Sequence, residues 1–127
     1  MWMTAKRILV IDDEDDIREV AKACLEIVGG YDVLTASSGR EGLAKASAEM
    51  PDAILLDVMM PGMDGPTTFK KLLGEEATRN IPVIFLTAKV QSVDWRQLTE
   101  LRPAGMIAKP FAPLGLAPDV AKLLGWD

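Results

Sequence analysis

The sequence predicts an α/β fold, a five-stranded parallel sheet with helices on both faces. Three observations carry the prediction. Continuous apolar runs such as Ile8-Leu9-Val10-Ile11 and Ile54-Leu55-Leu56 look like strands buried on both faces. Stretches with apolar residues at helical spacing alternate with those runs, giving five strands and five helices in turn. Crossover helices of about ten residues between buried strands imply parallel pairing and a sheet covered on both sides.

The elements follow in order. Met1 to Thr4 read as a loose terminus. The strand Ile8 to Ile11 ends in the acidic run Asp12-Asp13-Glu14-Asp15-Asp16. Ile17, Val20, Ala21, Cys24 and Val28 then recur at helical spacing, and Gly29-Gly30 stops that helix. Acids in its first turn suit the helix dipole, and Glu14, Asp15 and Asp16 are expected to form a solvated first turn. Tyr31 to Ala36 is a second strand. Ser38-Gly39-Arg40-Glu41 has the form of a capping box and opens an Ala-rich helix that Pro51-Asp52 breaks.

The third strand, from Ile54, stops at one carboxylate, Asp57. Pro61, Gly62 and Gly65 then forbid regular structure until about Asp64, which can cap a helix carrying Phe69, Leu72 and Leu73. Pro82 to Leu86 is a fourth strand ending in Thr87-Ala88-Lys89. Ser92 is the expected cap of a helix that buries Trp95, Leu98 and Leu101 and closes at Pro103. Gly105 to Ala108 is the last strand, ending in Lys109-Pro110-Phe111. The last helix carries Leu116, Val120, Leu123 and Leu124, with Pro118 confined to its first turn or before it. Right-handed crossovers leave few topologies, and the flavodoxin-like doubly wound sheet, order 2-1-3-4-5, suits five strands.

Composition narrows the function. The 127 residues suffice for one domain with one core. A net charge of −5 leaves no basic stripe for nucleic acid. No apolar run approaches the length of a membrane span. Lys6 and Arg7 precede only a short apolar run, too short for a signal-peptide core, and the single Cys24 fits a reducing compartment, so a cytoplasmic setting is expected. Cys24 lies on the apolar stripe of its helix and reads as core. The absence of histidine excludes His-based triads, His zinc sites and a phosphohistidine on this chain.

Chemistry gathers at the strand ends. In a parallel sheet all carboxyl ends share one edge, where ligands bind. Asp12, Asp13, Asp57, Thr87 and Lys109 therefore converge. Three clustered carboxylates repel one another and must be partly protonated or bound to a cation, and with few soft ligands near, a hard cation such as Mg²⁺ is the natural occupant. A Lys ammonium and a Thr hydroxyl beside such a centre can hold phosphoryl oxygens. The run is not an EF-hand loop, because the sixth position counted from Asp12 is Ile17 where Gly is required. No P-loop motif is present.

Ile11-Asp12-Asp13-Glu14, Leu56-Asp57-Val58-Met59-Met60-Pro61-Gly62-Met63-Asp64-Gly65, Leu86-Thr87-Ala88 and Lys109-Pro110-Phe111 resemble the response-regulator receiver domains of two-component phosphorelay signalling, in order and spacing, over nearly the whole chain. The resemblance implies that Asp57 is the phospho-acceptor and the modified residue. It implies that Asp12 or Asp13, more firmly Asp13, ligates Mg²⁺ with Asp57 and the main-chain carbonyl of Met59. Thr87 would hydrogen-bond the phosphoryl group, with Ala88 leaving access, and Lys109 would pair with a phosphoryl oxygen across a cis Lys109–Pro110 peptide. The implied donor is a histidine kinase or a histidine phosphotransfer protein. The implied output is a downstream protein or a self-dimer, docked on the face of the fourth helix, fifth strand and fifth helix. Such a chain is a signalling phospho-acceptor, not an enzyme beyond its own phosphorylation and dephosphorylation.

One residue departs from the pattern. After Gly105 the family usually carries Tyr or Phe, and here stands Met106. A thioether fills the same gap with less orientational preference, so the switch is expected to be weaker or carried by Trp95, Gln97 and the loop at Lys89–Gln91. The expected unit is one receiver domain over residues 5–127, with no output domain in this chain, standing alone or cut from a longer protein. Two other readings remain. A receiver-like docking module that never carries phosphate is favoured by Met106 and opposed by the complete acidic site. A flavin protein or small phosphohydrolase is opposed by the acidic first loop and by Met59, where such hydrolases commonly place a second Asp.

Overall fold

The computed structural model describes residues 5–88 and 92–126. Its elements run β1 (Arg7–Ile11), α1 (Asp15–Ile27), β2 (Asp32–Ala36), α2 (Gly39–Glu49), β3 (Ala53–Asp57), α3 (Gly65–Gly74), β4 (Val83–Ala88), α4 (Ser92–Glu100), β5 (Gly105–Lys109), a 3₁₀ turn (Pro113–Gly115) and α5 (Leu116–Leu124). The strands are parallel in the order β2-β1-β3-β4-β5, the expected doubly wound sheet. The order reverses at β1, so the crevice between β1 and β3 is the topological switch point.

Side-chain alternation splits the core into two layers. On one face Ile8, Val10, Leu55, Ile84, Leu86 and Ile107 meet Ala21 and Leu25 of α1 and Leu116, Ala117 and Val120 of α5. On the other, Leu9, Ile11, Ile54, Leu56, Val83 and Phe85 meet Ala46 of α2, Phe69 and Leu72 of α3 and Leu98 of α4. Each fully buried aliphatic side chain contributes about 1.5–3 kcal/mol. The central strands thus anchor the acidic edge rigidly.

Several local expectations need correction. Val20 and Val28 are 43% exposed, and the buried stripe of α1 is Ala21 and Leu25. Ala21 is buried as expected, while Leu25 takes the place expected of Val20 and Val28, with α1 packed against both the sheet and α5. Cys24 is half-buried and packs on that layer, as expected for a core residue. The capping box at α2 is shifted: Ser38 accepts from the Glu41 amide at 3.1 Å, but the Glu41 carboxylate bonds the amide and hydroxyl of Ser37 at 2.6 and 2.9 Å. Asp64 caps α3 by accepting from the Thr67 amide at 2.9 Å. Leu98 of α4 is buried, while Trp95 of α4 and Leu101 just beyond it are half-buried. Met1–Thr4, the loop Lys89–Gln91 and the side chain of Ser92 lie outside the described residues.

Candidate phospho-acceptor site

Strand register brings the acids together. Ile11 pairs with Leu56, so Asp12 emerges beside Asp57 at the switch point. The amide of Asp12 is tied to the Ala36 carbonyl at 3.1 Å and that of Val58 to the Leu86 carbonyl at 3.2 Å, extending the ladder into the site. Asp57 pairs with Leu86, which sets Thr87 one step beyond it, and Ala88 pairs with Lys109 on the edge strand β5. One oxygen each from Asp12, Asp13 and Asp57 falls within 4.8 Å of the others. Asp12 and Asp57 are buried and Asp13 half-buried.

The loop after Asp57 is held close by glycine. Gly62 has φ +80°, a conformation other side chains rarely adopt. A Cβ on Gly65 would lie 2.4 Å from the Asp57 carbonyl oxygen, so only glycine lets α3 begin against the end of β3.

Lys109 reaches back across the sheet edge. Its Nζ lies 3.1 Å from Asp12 Oδ2, 3.1 Å from Asp57 Oδ1 and 3.2 Å from Glu14 Oε1. The Lys109–Pro110 peptide is cis, as the resemblance implies. Burial pushes the Asp57 carboxyl up, the Asp12 charge beside it pushes further, and the Lys109 ammonium only partly offsets them, leaving Asp57 at about 7. Burial works against the Lys109 ammonium, but Asp12 and Asp57 outweigh it and raise it to about 12. The site therefore sets the Lys109 ammonium against a carboxyl that holds its proton more tightly than an ordinary Asp.

Thr87 is buried, and its hydroxyl donates to the Ala88 carbonyl at 3.2 Å. Met59, two residues after Asp57, is 74% exposed. Met106 is half-buried against the layer that includes Phe85 and Leu98.

Two residues were missed. Glu14 is exposed, as expected of a solvated first turn, and its carboxylate also meets Lys109, 95 positions away. Nothing in local spacing reports a contact made across the sheet edge. Arg18 donates to the Asp12 carbonyl at 2.8 Å and pairs with Asp15, pinning the loop that carries the acids. An Arg one helical turn after an acidic run was the available signal for the Asp15 pair.

Residues 8–120 match the model of the response regulator receiver domain. The chain belongs to this family. It is a receiver domain of two-component response regulators, a family of signalling phospho-acceptors, with a CheY-like fold. It is 44% identical over 108 residues to the alkaline phosphatase synthesis transcriptional regulatory protein PhoP of Bacillus subtilis, covering 85% of this chain and 44% of that protein. It is 43% identical over 119 residues to the response regulator PleD of Caulobacter vibrioides, covering 92% of this chain and 26% of that one. The chain thus spans about half the length, or less, of the curated relatives it matches. Among solved structures, the chemotaxis protein CheY4 of Vibrio cholerae superposes with a TM-score of 0.87 at 30% identity, over 94% of this receiver and 99% of that chain. Among the described residues, no helix is long and apolar enough to cross a membrane.

Proposed function

We propose that this receiver domain accepts a phosphoryl group on Asp57 in a Mg²⁺-dependent transfer from the phosphohistidine of a histidine kinase or histidine phosphotransfer protein, in the cytoplasm. The observation that carries the reading is the Lys109 ammonium, set 3.1 Å from both Asp12 and Asp57 at the switch point. The donor set fits a hard divalent cation, since Asp12, Asp13 and Asp57 present three carboxylate oxygens close together, joined in this reading by the Met59 main-chain carbonyl. Bound there, Mg²⁺ would supply positive charge against the clustered acids and the incoming phosphoryl oxygens.

The chain's own groups do the rest. An Asp57 carboxylate oxygen attacks phosphorus in line, the new P–O bond forms, and the bond from phosphorus to the donor breaks with its electron pair leaving on the donor. Lys109 loses one acceptor as the Asp57 oxygen becomes the bridging oxygen of an acyl phosphate and gains a phosphoryl oxygen in its place. Thr87 gives up its bond to the Ala88 carbonyl and donates to the phosphoryl group instead. Thr87 and Ala88 line a groove of about 520 Å³ together with Gln97, Leu98 and Leu101, which places α4 on the far wall of the space the hydroxyl moves beside. The face of α4, β5 and α5 then becomes the docking surface for a downstream protein or a second copy.

The test is intact-mass spectrometry after incubation with acetyl phosphate and Mg²⁺. One phosphoryl group should add to the natural protein and none to Asp57→Asn. Undiminished addition to the variant would overturn the assignment.

A further inference from the structure

Glu14 occupies the N-cap position of α1, yet its side chain makes no capping hydrogen bond there. The short side chains of Ser, Thr, Asp and Asn are the ones that ordinarily cap a first-turn amide, so Glu14 is free to reach elsewhere. Here the carboxylate turns instead to Lys109, at 3.2 Å, although Glu14 remains 61% exposed and could be fully solvated. Its own amide donates to Asp12 Oδ1 at 2.9 Å, which fixes Glu14 beside the buried acids.

Three carboxylates surround the Lys109 ammonium: it donates to Asp12 and Glu14, and Asp57 lies within ion-pair distance at 3.1 Å. These acceptors are not equivalent. Asp12 and Asp57 belong to the cluster that would hold a cation, and Asp57 is the proposed acceptor. Glu14 lies outside that cluster. Its hold on Lys109 is the only one of the three that neither metal binding nor phosphoryl transfer must disturb.

We infer that Glu14 is a positioning residue for Lys109, keeping the ammonium at the acceptor while Asp12 and Asp57 change partners. The inference rests on the reading of Asp57 as phospho-acceptor. Without Glu14 the long lysine side chain regains rotamer freedom at the moment the phosphoryl group arrives. Glu14 also places a negative charge at the mouth of the site, which opposes anionic donors.

The two effects separate by substitution. Glu14→Gln keeps an oxygen acceptor for Lys109 and removes the charge. Glu14→Ala removes both. Initial rates of labelling by acetyl phosphate with Mg²⁺ are resolved into a maximal rate and a half-saturating concentration. The half-saturating concentration should fall alike in both variants. The maximal rate should fall about twofold to fivefold in the Ala variant, the scale of an exposed ion pair, and be largely restored in the Gln variant. A second readout needs neither metal nor turnover. In ¹⁵N-labelled, metal-free protein, the Lys109 ammonium protons should exchange with water about twofold to fivefold faster in Glu14→Ala than in Glu14→Gln. Equal maximal rates in all three proteins, with labelling of the natural protein intact, would overturn the role of Glu14 alone. Absence of label on Asp57 in the natural protein would overturn the acceptor reading and this inference with it.

Discussion

Asp57→Asn should change how stability depends on pH in metal-free protein. The Asp57 side chain is 4% exposed and stands beside the fully buried Asp12. Burial first, and the Asp12 charge second, lift its carboxyl from 3.8 to about 7 despite Lys109. A carboxyl that holds its proton more tightly folded than unfolded stabilises the fold only while the proton is on. Its contribution is complete below about pH 4, shrinks as pH rises, and is gone once pH passes about 7. At about 1.4 kcal/mol per pH unit, this lift amounts to about 4 kcal/mol across the window. That is a large share of a typical domain stability of about 5–15 kcal/mol. Asparagine has no such proton. Urea unfolding in EDTA, followed by tryptophan fluorescence from pH 4 to 8, measures both proteins. The stability of the variant minus that of the natural protein should climb through the window by a few kcal/mol and level off above pH 7. Lys109, raised to about 12, contributes below 10.5 and loses its contribution only as pH passes 12, outside the scan. A difference that stays flat from pH 4 to 8, or falls, would refute the account of Asp57 as a buried acid strained by Asp12.

Mg²⁺ should raise the thermal midpoint of the natural protein, by about 2.7 kcal/mol of stabilisation at a hundred times its Kd, and raise Asp13→Asn much less; an equal shift in both would remove Asp13 from the metal set. Gly65→Ala should cost about 1–3 kcal/mol in denaturant unfolding and slow labelling of Asp57, because its Cβ would press 2.4 Å from the Asp57 carbonyl oxygen. Met106→Tyr should enlarge the difference in partner affinity between phosphorylated and unphosphorylated forms, which for coupled sites spans about 5-fold to 150-fold. Amide exchange with and without beryllofluoride should show changed protection over α4, β5 and α5. Changes confined to the neighbourhood of Asp12 and Asp57 would place the output surface elsewhere.

The sheet was legible because its strands are unusually plain. Ile8–Ile11 and Ile54–Leu56 are wholly apolar, and only a strand covered on both faces needs such a run. The convergence of Asp12, Asp13, Asp57 and Lys109 followed from parallel topology alone, since every strand must end on the same edge. The helix faces were harder to read. Val20 fits the period of α1 as well as Leu25 does, but the choice between them depends on where α5 lies, which no local pattern encodes. Glu14 is exposed, as a solvated first turn requires, but its pairing with Lys109 is not legible because that partner stands on the last strand. Ser37 took the Glu41 carboxylate from the expected capping box because its amide and hydroxyl both face α2.

The acceptor itself is tested most directly by trapping it. After labelling with acetyl phosphate and Mg²⁺, borohydride reduces an aspartyl phosphate to homoserine, and peptide mass spectrometry locates the change. Homoserine should appear at position 57 and depend on Mg²⁺. Homoserine at position 12 or 13, or a phosphoryl group that survives on a Ser or Thr hydroxyl, would contradict the account.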